Sequence, residues 1–230
     1  HLTRNELEIL ISSNVDVTTA CTGSIEDMSN LFKGDTGFNQ DISHWDTAKV
    51  KTMSGMFNGA VEFNQDLSLW DTSNVEDFSY IFADASSFNG NVSTWNTNNV
   101  LNFKGAFSGA NSFNQDIGGW DTSNVEDFSN IFADASSFNG NISAWDTSNV
   151  TTFKGAFNGA KNFNQDIGNW DVSRSTDFSF MFNNASKFNQ DISRWNVSNA
   201  TTLSNTFTGT KSFNQDLNNW DTSNVTTLYG

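Results

Sequence analysis

The side chains in this chain with the most potential for binding chemistry form an acidic column. Tryptophan recurs every 25 residues, and an Asp or Asn directly follows each of these eight tryptophans. A Ser stands two positions further on in several units. If the units stack, like positions come together, and we expect both columns to face solvent and contact a ligand. The predicted site consists of Asp46, Asp71, Asn96, Asp121, Asp146, Asp171, Asn196 and Asp221, with Ser73, Ser123, Ser148, Ser173 and Ser198.

Calcium is an alternative role for these carboxylates. Like charges one coil apart would repel by about 1 kcal/mol in water. A second column of Asp or Asn, four residues before each Trp, adds further oxygen ligands of the type that Ca²⁺ prefers. The same side chains would also serve as acceptors for backbone amides in turns, which Asn does equally well. We expect no cofactor, and calcium bridging remains open at this point.

Catalysis has little support in the sequence. His1 and His44 are the only histidines, and Cys21 is the only cysteine. The chain contains no glycine-rich loop of the kind that cradles phosphate, and its carboxylates recur in every unit rather than in one place. We therefore expect a protein that is not an enzyme.

Charge and hydropathy narrow the range of partners. The formal net charge is −15, with 26 acidic and 11 basic residues, so a nucleic acid would be repelled. No apolar run, including the one at residues 9–11, approaches the roughly 20 residues of a membrane helix. We expect neither nucleic-acid binding nor membrane insertion by this segment.

The elements that position these columns follow from the repeat. Besides Trp, two Phe residues recur in each unit, seven and thirteen positions before it. Because a 25-residue unit cannot bury its own aromatic face, the fixed period predicts a solenoid. We expect the Trp and Phe columns to form the core, with successive rings about 4.8 Å apart and an acceptor for each indole N–H. In each unit an Asn follows the Phe that stands seven positions before Trp. We expect this Asn to satisfy backbone groups along the stack.

Each coil is predicted to contain one short helix and one short strand. Val75, Phe78, Phe82, Ala85 and Phe88 are spaced by three and four, as on a helix face, and Ser73 to Glu76 reads as a capping box. A strand is predicted at Trp-Asp-Thr, with Trp and Thr pointing inward. The predicted fold is thus an α/β repeat solenoid of leucine-rich-repeat type, and the alternative is a right-handed β-solenoid.

The chain divides into a cap, residues 1–19, and a solenoid of about nine coils, residues 20–230. An amphipathic helix after Thr3 is predicted to open the cap. Val17, Ala20 and Thr22 occupy the Ile, Trp and Thr columns of a divergent first coil. The last unit is incomplete, and we expect further units or a partner beyond it.

The strings Met53–Ala60, Phe63–Trp70 and Asp71–Val75 resemble the BspA-like bacterial surface-protein repeat, which is placed in the leucine-rich-repeat class. The resemblance covers residues 20–230, although Phe replaces most of that family's methionines. It implies an extracellular location at the cell surface, and attachment to other cells, hosts or matrix without enzymatic activity.

The expected function is adhesion or ligand capture, with a surface protein or glycan of a host or neighbouring cell contacting the exposed Asp and Ser columns. One alternative is a calcium-rigidified spacer. Another is binding to ice or a mineral surface through a regular hydroxyl array, if the Thr column faces outward. That column comprises Thr47, Thr72, Thr97, Thr122, Thr147, Val172, Val197 and Thr222.

Overall fold

The computed structural model describes residues 1–229, which form one short helix followed by stacked coils. Helix α1 spans Arg4–Ser12. Thr3 caps it: its hydroxyl accepts the Glu6 amide at 3.3 Å, and the Glu6 carboxylate accepts the Thr3 amide at 2.7 Å. Leu7 is fully buried against the first coil. The predicted opening helix is therefore confirmed.

Successive coils lie parallel and in register, and no extended strands join them within residues 1–229. One isolated parallel bridge links each coil to the next, between residues that are 25 apart. The predicted strand at Trp-Asp-Thr is wrong, because each Asp there begins a turn. The bridges instead lie at Asp27, Thr52, Asp77, Asn102, Asp127, Thr152, Asp177, Thr202 and Thr227.

A ribbon of consecutive turns replaces the predicted helix in each coil. In this turn ribbon, residues 78–85 and their equivalents, backbone amides alternate between two partners. The Phe78 amide donates to the Asn102 carbonyl of the next coil at 3.0 Å, whereas the Ile81 amide donates to the Phe78 carbonyl at 3.2 Å. The alternation continues along the ribbon, so its amides are shared between the local turns and the adjacent coil.

The backbone dihedral angles explain why a helix does not form. Tyr80 has φ +55° and Asp84 has φ +56°, whereas an α-helix requires φ near −63°. In the next coil the same two positions are Gly105 and Gly109, also with positive φ. A positive φ at the third residue is the requirement of a type II turn. Consecutive turns, like a helix, bring apolar residues that are three and four apart to one side of the chain. The apolar spacing that predicted a helix therefore has another cause.

The predicted capping box at Ser73 to Glu76 is also wrong. The Ser73 amide donates to Asp71 Oδ1 at 3.0 Å, which closes a local turn. The Glu76 amide donates to the Lys51 carbonyl of the preceding coil at 2.9 Å. One of these amides therefore closes a local turn and the other joins two coils, and neither starts a helix.

The aromatic columns form the core, as predicted. From Trp45 to Trp195 the indoles are only 3–5% exposed, and most of the Phe rings are fully buried. Within a coil, Phe82 and Phe88 stack at 3.7 Å. Rings of one column lie 5.4 Å apart for Phe57 and Phe82, and up to 6.5 Å apart among the tryptophans, which exceeds the expected 4.8 Å. The rings are displaced sideways as well as along the stack, as in offset stacking.

Each indole N–H has a buried acceptor. Trp120 Nε1 donates to the Val92 carbonyl of the preceding coil at 3.1 Å, and the other tryptophans repeat this bond. The divergent first coil follows the same scheme, because the Val17 carbonyl accepts Trp45 Nε1 at 3.0 Å. Val17 therefore occupies the Ile column, as predicted. The division of the chain at residue 19 stays a prediction.

An asparagine ladder runs along the stack, in agreement with the sequence. The amide of Asn114 donates to Asn89 Oδ1 at 2.9 Å, and Asn114 Oδ1 accepts the amide of Asn139 at 2.8 Å. The ladder extends from Asn39 to Asn214. It confirms that this column satisfies backbone groups.

Candidate functional site

The acidic column lies on the surface and is held in place by the backbone. Every member, from Asp46 to Asp221, is exposed. Oδ1 of each accepts the amide two residues later, at 3.0 Å for Asp71 and 2.9 Å for Asp171. Asn96 and Asn196 make the same contact at 3.2 Å. This local turn fixes each side chain and leaves the second carboxylate oxygen free of the turn.

The same contact keeps these carboxylates ionised. The side-chain hydroxyl and the amide of Ser73 hold the pKa of Asp71 below its ordinary value of 3.8. Ser123 and Ser173 lower the pKa of Asp121 and Asp171 in the same way. Hydrogen bonds to the charged form favour that form. Asp71, Asp121 and Asp171 are therefore ionised at neutral pH.

The serine column differs from the acidic column, because several of its side chains hydrogen-bond to the acidic column and all of them are less exposed. Its members are half-buried, and none lies on a strand, which corrects the predicted placement on an exposed strand face. Ser123 Oγ donates to Asp121 Oδ1 at 2.7 Å, and Ser198 Oγ donates to Asn196 Oδ1 at 2.7 Å. Their hydroxyls are thus partly occupied by the neighbouring Asp or Asn. Ligand contact by either column stays a prediction.

The second acidic column has the same geometry. Oδ1 of Asp66 accepts the Ser68 amide at 2.8 Å, and Oδ1 of Asn141 accepts the Ser143 amide at 3.0 Å. Across residues 1–229, no three His, Cys, Asp or Glu side chains are grouped as a metal ion would require. Backbone amides account for one oxygen of each carboxylate in this column.

The threonine column is buried except at Thr222 in the last coil, which corrects the surface-array alternative. Thr47 to Thr147 are only 1–2% exposed. Each hydroxyl donates to a carbonyl of the next coil, as Thr122 does to Asp146 at 2.8 Å. A Val replaces Thr at positions 172 and 197 without becoming exposed. This column therefore presents no hydroxyl array to ice or mineral.

Sequence reasoning missed a third exposed column, formed by the Asn of Ser-Asn-Val. Asn99 Nδ2 donates to the Ser73 carbonyl of the preceding coil at 2.7 Å. The equivalent bond recurs at Asn74, Asn124, Asn149, Asn199 and Asn224. The near-constant Asn at this position was the available signal. The column lies three residues after the acidic column in these coils, and its members are exposed except for half-buried Asn149.

The negative charge is concentrated in one part of the stack. Residues 1–146 contain 20 of the 26 acidic side chains and five of the 11 basic ones. Residues 147–230 contain six of each. The whole net charge of −15 therefore belongs to the first part of the chain.

Together these features define a tandem-repeat solenoid with a buried aromatic core and exposed polar columns. The chain belongs to the family described as "Mycoplasma protein of unknown function, DUF285", whose model matches residues 7–116, 70–160, 101–208 and 139–230. No curated protein matches the chain. The resemblance to the BspA-like repeat stays a prediction.

A structural comparison finds weak similarity to an internalin from Listeria monocytogenes. The two are 8% identical, the alignment covers 84% of this chain and 78% of the internalin, and the TM-score is 0.23. A score this low carries no argument about fold or function. Within residues 1–229, α1 is the only α-helix, and no helix has the length and apolarity needed to cross a membrane.

Proposed function

We propose that this chain is a non-catalytic binding domain displayed at a bacterial cell surface. Its acidic column, together with the adjacent Asn column, contacts a surface protein or glycan of a host or neighbouring cell. The observation that carries the proposal is the difference in exposure between the columns of each coil. The apolar columns and most of the Thr column are buried in the core, whereas every Asp or Asn of the acidic column is exposed, and six of the eight are carboxylates.

The electrostatics favour a partner with a basic surface. Carboxylates that repeat along a rigid stack create a continuous negative potential, which attracts positive charge and speeds association. The charge of residues 1–146 makes this part of the solenoid the stronger attractor. Such binding weakens as salt increases, because exposed charges are screened over about 10 Å at 0.1 M.

The sharpest test uses Asp→Asn substitutions, because Asn96 and Asn196 already occupy the column and keep the turn. We would replace the four residues Asp71, Asp121, Asp146 and Asp171 together. The matched control makes the same replacement at Asp66, Asp116, Asp166 and Asp191, where Asn91 and Asn141 set the same precedent. Both variants lose four negative charges, so they differ only in the column that is changed.

Binding would be measured on arrays of purified extracellular-matrix proteins and of defined glycans, with bacterial-surface display as a second format. We expect the first variant to lose at least tenfold in affinity for the bound partner and the control to lose much less. Equal losses would show a response to net charge alone. Unchanged binding by the first variant would refute the proposed contact face.

We propose no cofactor for this binding. The Oδ1 atoms of the acidic column already accept backbone amides, as Asp121 does from Ser123 at 3.0 Å. Melting temperatures are therefore expected to be equal with calcium, with magnesium and with a chelator. A rise confined to calcium would favour the rigidified-spacer alternative.

A further inference from the structure

One column of the turn ribbon carries two residues that its backbone does not favour. The column comprises Asn30, Gly55, Tyr80, Gly105, Asn130, Gly155, Phe180 and Asn205, all with φ between +55° and +63°. Gly adopts this left-handed region freely, and Asn tolerates it. An aromatic residue there is an outlier, and such outliers cluster at functional sites. Tyr80 and Phe180 are these outliers.

The fold does not require either ring. Six of the eight coils have Gly or Asn at this position, with the same backbone conformation. Tyr80 is 38% exposed and Phe180 is 40% exposed, whereas most other Phe rings and the tryptophans up to Trp195 lie in the core. The two rings therefore add conformational strain and exposed apolar surface without adding to the core.

Tyr80 is held as a flat platform by the coil that follows it. A Cβ added at Gly105 would lie 2.5 Å from Tyr80 Cε1 and 2.6 Å from Cδ1, so the ring packs directly against this glycine. The backbone is fixed as well, because the Tyr80 amide donates to the Lys104 carbonyl at 2.8 Å. One side of the ring is therefore supported by protein, and 38% of the residue's surface stays accessible to solvent.

Polar residues occur near each ring in the sequence or in an adjacent coil. Asp84, four residues after Tyr80, is exposed, and Lys104 is half-buried in the next coil. After Phe180, Asn183 and Asn184 are paired by a 2.6 Å hydrogen bond. Lys154 lies in the preceding coil and is exposed. Side chains that can hydrogen-bond therefore accompany each ring on the ribbon or in an adjacent coil.

We infer that Tyr80 and Phe180 are stacking platforms for pyranose rings of a glycan. A pyranose presents C–H groups on one face and hydroxyls at its edge. The C–H face suits the negative face of an aromatic ring. Carboxylate, amide and ammonium groups suit the hydroxyls. A protein partner would instead favour clustered apolar anchors. The inference deepens the proposed binding function, on which it rests, and assigns a ligand class to the ribbon face.

The two platforms act as separate subsites of one extended surface. They stand four coils apart, or about 20 Å if each coil advances by the spacing of paired strands. A glycan long enough to reach both rings gains from a raised effective concentration at the second site. Short sugars occupy each ring independently.

The test exploits the tyrosine content of the chain, which is two residues, Tyr80 and Tyr229. Incorporation of 3-fluorotyrosine gives one ¹⁹F resonance for each. Candidate sugars come from an array of defined neutral, sialylated and sulfated glycans, and N-acetylglucosamine oligomers are titrated in every case. We expect the Tyr80 resonance to shift on binding and the Tyr229 resonance to stay in place.

The matched variants are Tyr80→Asn and Phe180→Asn, which copy Asn130 and Asn205, with Tyr229→Asn as the control. Loss of one aromatic stacking contact is expected to weaken glycan binding by about 2- to 13-fold. The melting temperature should stay the same or rise, because Asn relieves the strain. Asn130→Tyr, which faces Gly155 as Tyr80 faces Gly105, should create a third platform and strengthen binding.

Three results would overturn the inference: no glycan on the array binds, the Tyr80 resonance does not move, or both Asn variants bind as tightly as the parent. None of these results would refute the proposed contact between the acidic column and a protein partner. The Asp→Asn variants described above test that contact on protein arrays, so the two proposals can fail separately.

Discussion

Replacement of Gly105 by Ala is expected to weaken the central coils sharply, and Gly119→Ala in the same coil is its control. Gly105 has φ +61°, and its new methyl group would meet the ring of Tyr80. The left-handed conformation costs Ala about 1–2 kcal/mol, and displacement of the exposed ring adds about 1 kcal/mol. Gly119 has no atom within 4 Å of an added Cβ, and Ala144 occupies the equivalent position one coil on.

Gly119→Ala should therefore be neutral or stabilising by up to about 1 kcal/mol, since Ala restricts the unfolded chain. The two variants should differ by about 3 kcal/mol in the free energy of unfolding. Urea unfolding followed by tryptophan fluorescence would report this, because the indoles leave the core on unfolding. Addition of Tyr80→Gly to Gly105→Ala should recover the part caused by the ring. Equal urea midpoints for the two Gly variants would refute the left-handed turn ribbon itself.

Three further predictions concern the core, the ladder and pH. Trp120→Phe should cost about 1–3 kcal/mol through lost volume and a lost buried hydrogen bond, measured by thermal unfolding, and the same change at half-buried Trp220 should cost less. Asn114→Ala should cost about 1 kcal/mol, because an amide of the next coil loses its acceptor, and hydrogen exchange should quicken there. The depressed pKa values contribute stability above pH 3.8 that is lost as pH falls through the folded-state pKa. Urea midpoints should therefore fall between pH 6 and pH 3, and less so after Asn replaces Asp71, Asp121 and Asp171.

The repeat, the core and the opening helix were predictable because they depend on residue type and spacing alone. A constant interval between tryptophans requires stacking, and large apolar residues must then face inward. Thr3 and Glu6 form a capping box that is local in sequence, so α1 could be predicted from a few residues. The Asn ladder was equally accessible, since an amide in register can bond its own copy in the next coil.

The secondary structure of the coil was not predictable from apolar spacing, because helices and consecutive turns both place apolar residues three and four apart. The distinguishing signal lay at two other positions. One alternates mostly between Gly and Asn or an aromatic residue, as at Gly105 and Asn130. The other alternates between Gly and Asp or Asn, as at Gly109 and Asp134. Gly, Asn and Asp are the residues that accept positive φ, and their recurrence four apart argues against a helix.

The acidic column was found from its residues, but its surroundings were not. Exposure of Asp71 follows from its place beside a buried Trp, whereas the turn that fixes it depends on the conformation of Ser73. The strand prediction placed Asp and Ser on one equally exposed face. In the turn that forms instead, the Ser side chain is drawn back to a half-buried position.

Neighbouring coils are complementary where the side chain at a left-handed position rests on a glycine of the coil that follows, as Asn30, Tyr80 and Asn130 do. Phe180, which is followed by Asn205 at this position, departs from this pairing. Loss of residues 96–120 alone would set Tyr80 against Asn130 and Asp84 against Asp134, whereas loss of residues 96–145 would return Gly155 beneath Tyr80. Genetic recombination between the paired copies that end at Gly155 is therefore expected to lengthen or shorten this protein two coils at a time. Variants that differ in reach would then differ by multiples of 50 residues, and odd-numbered intermediates would be selected against during folding.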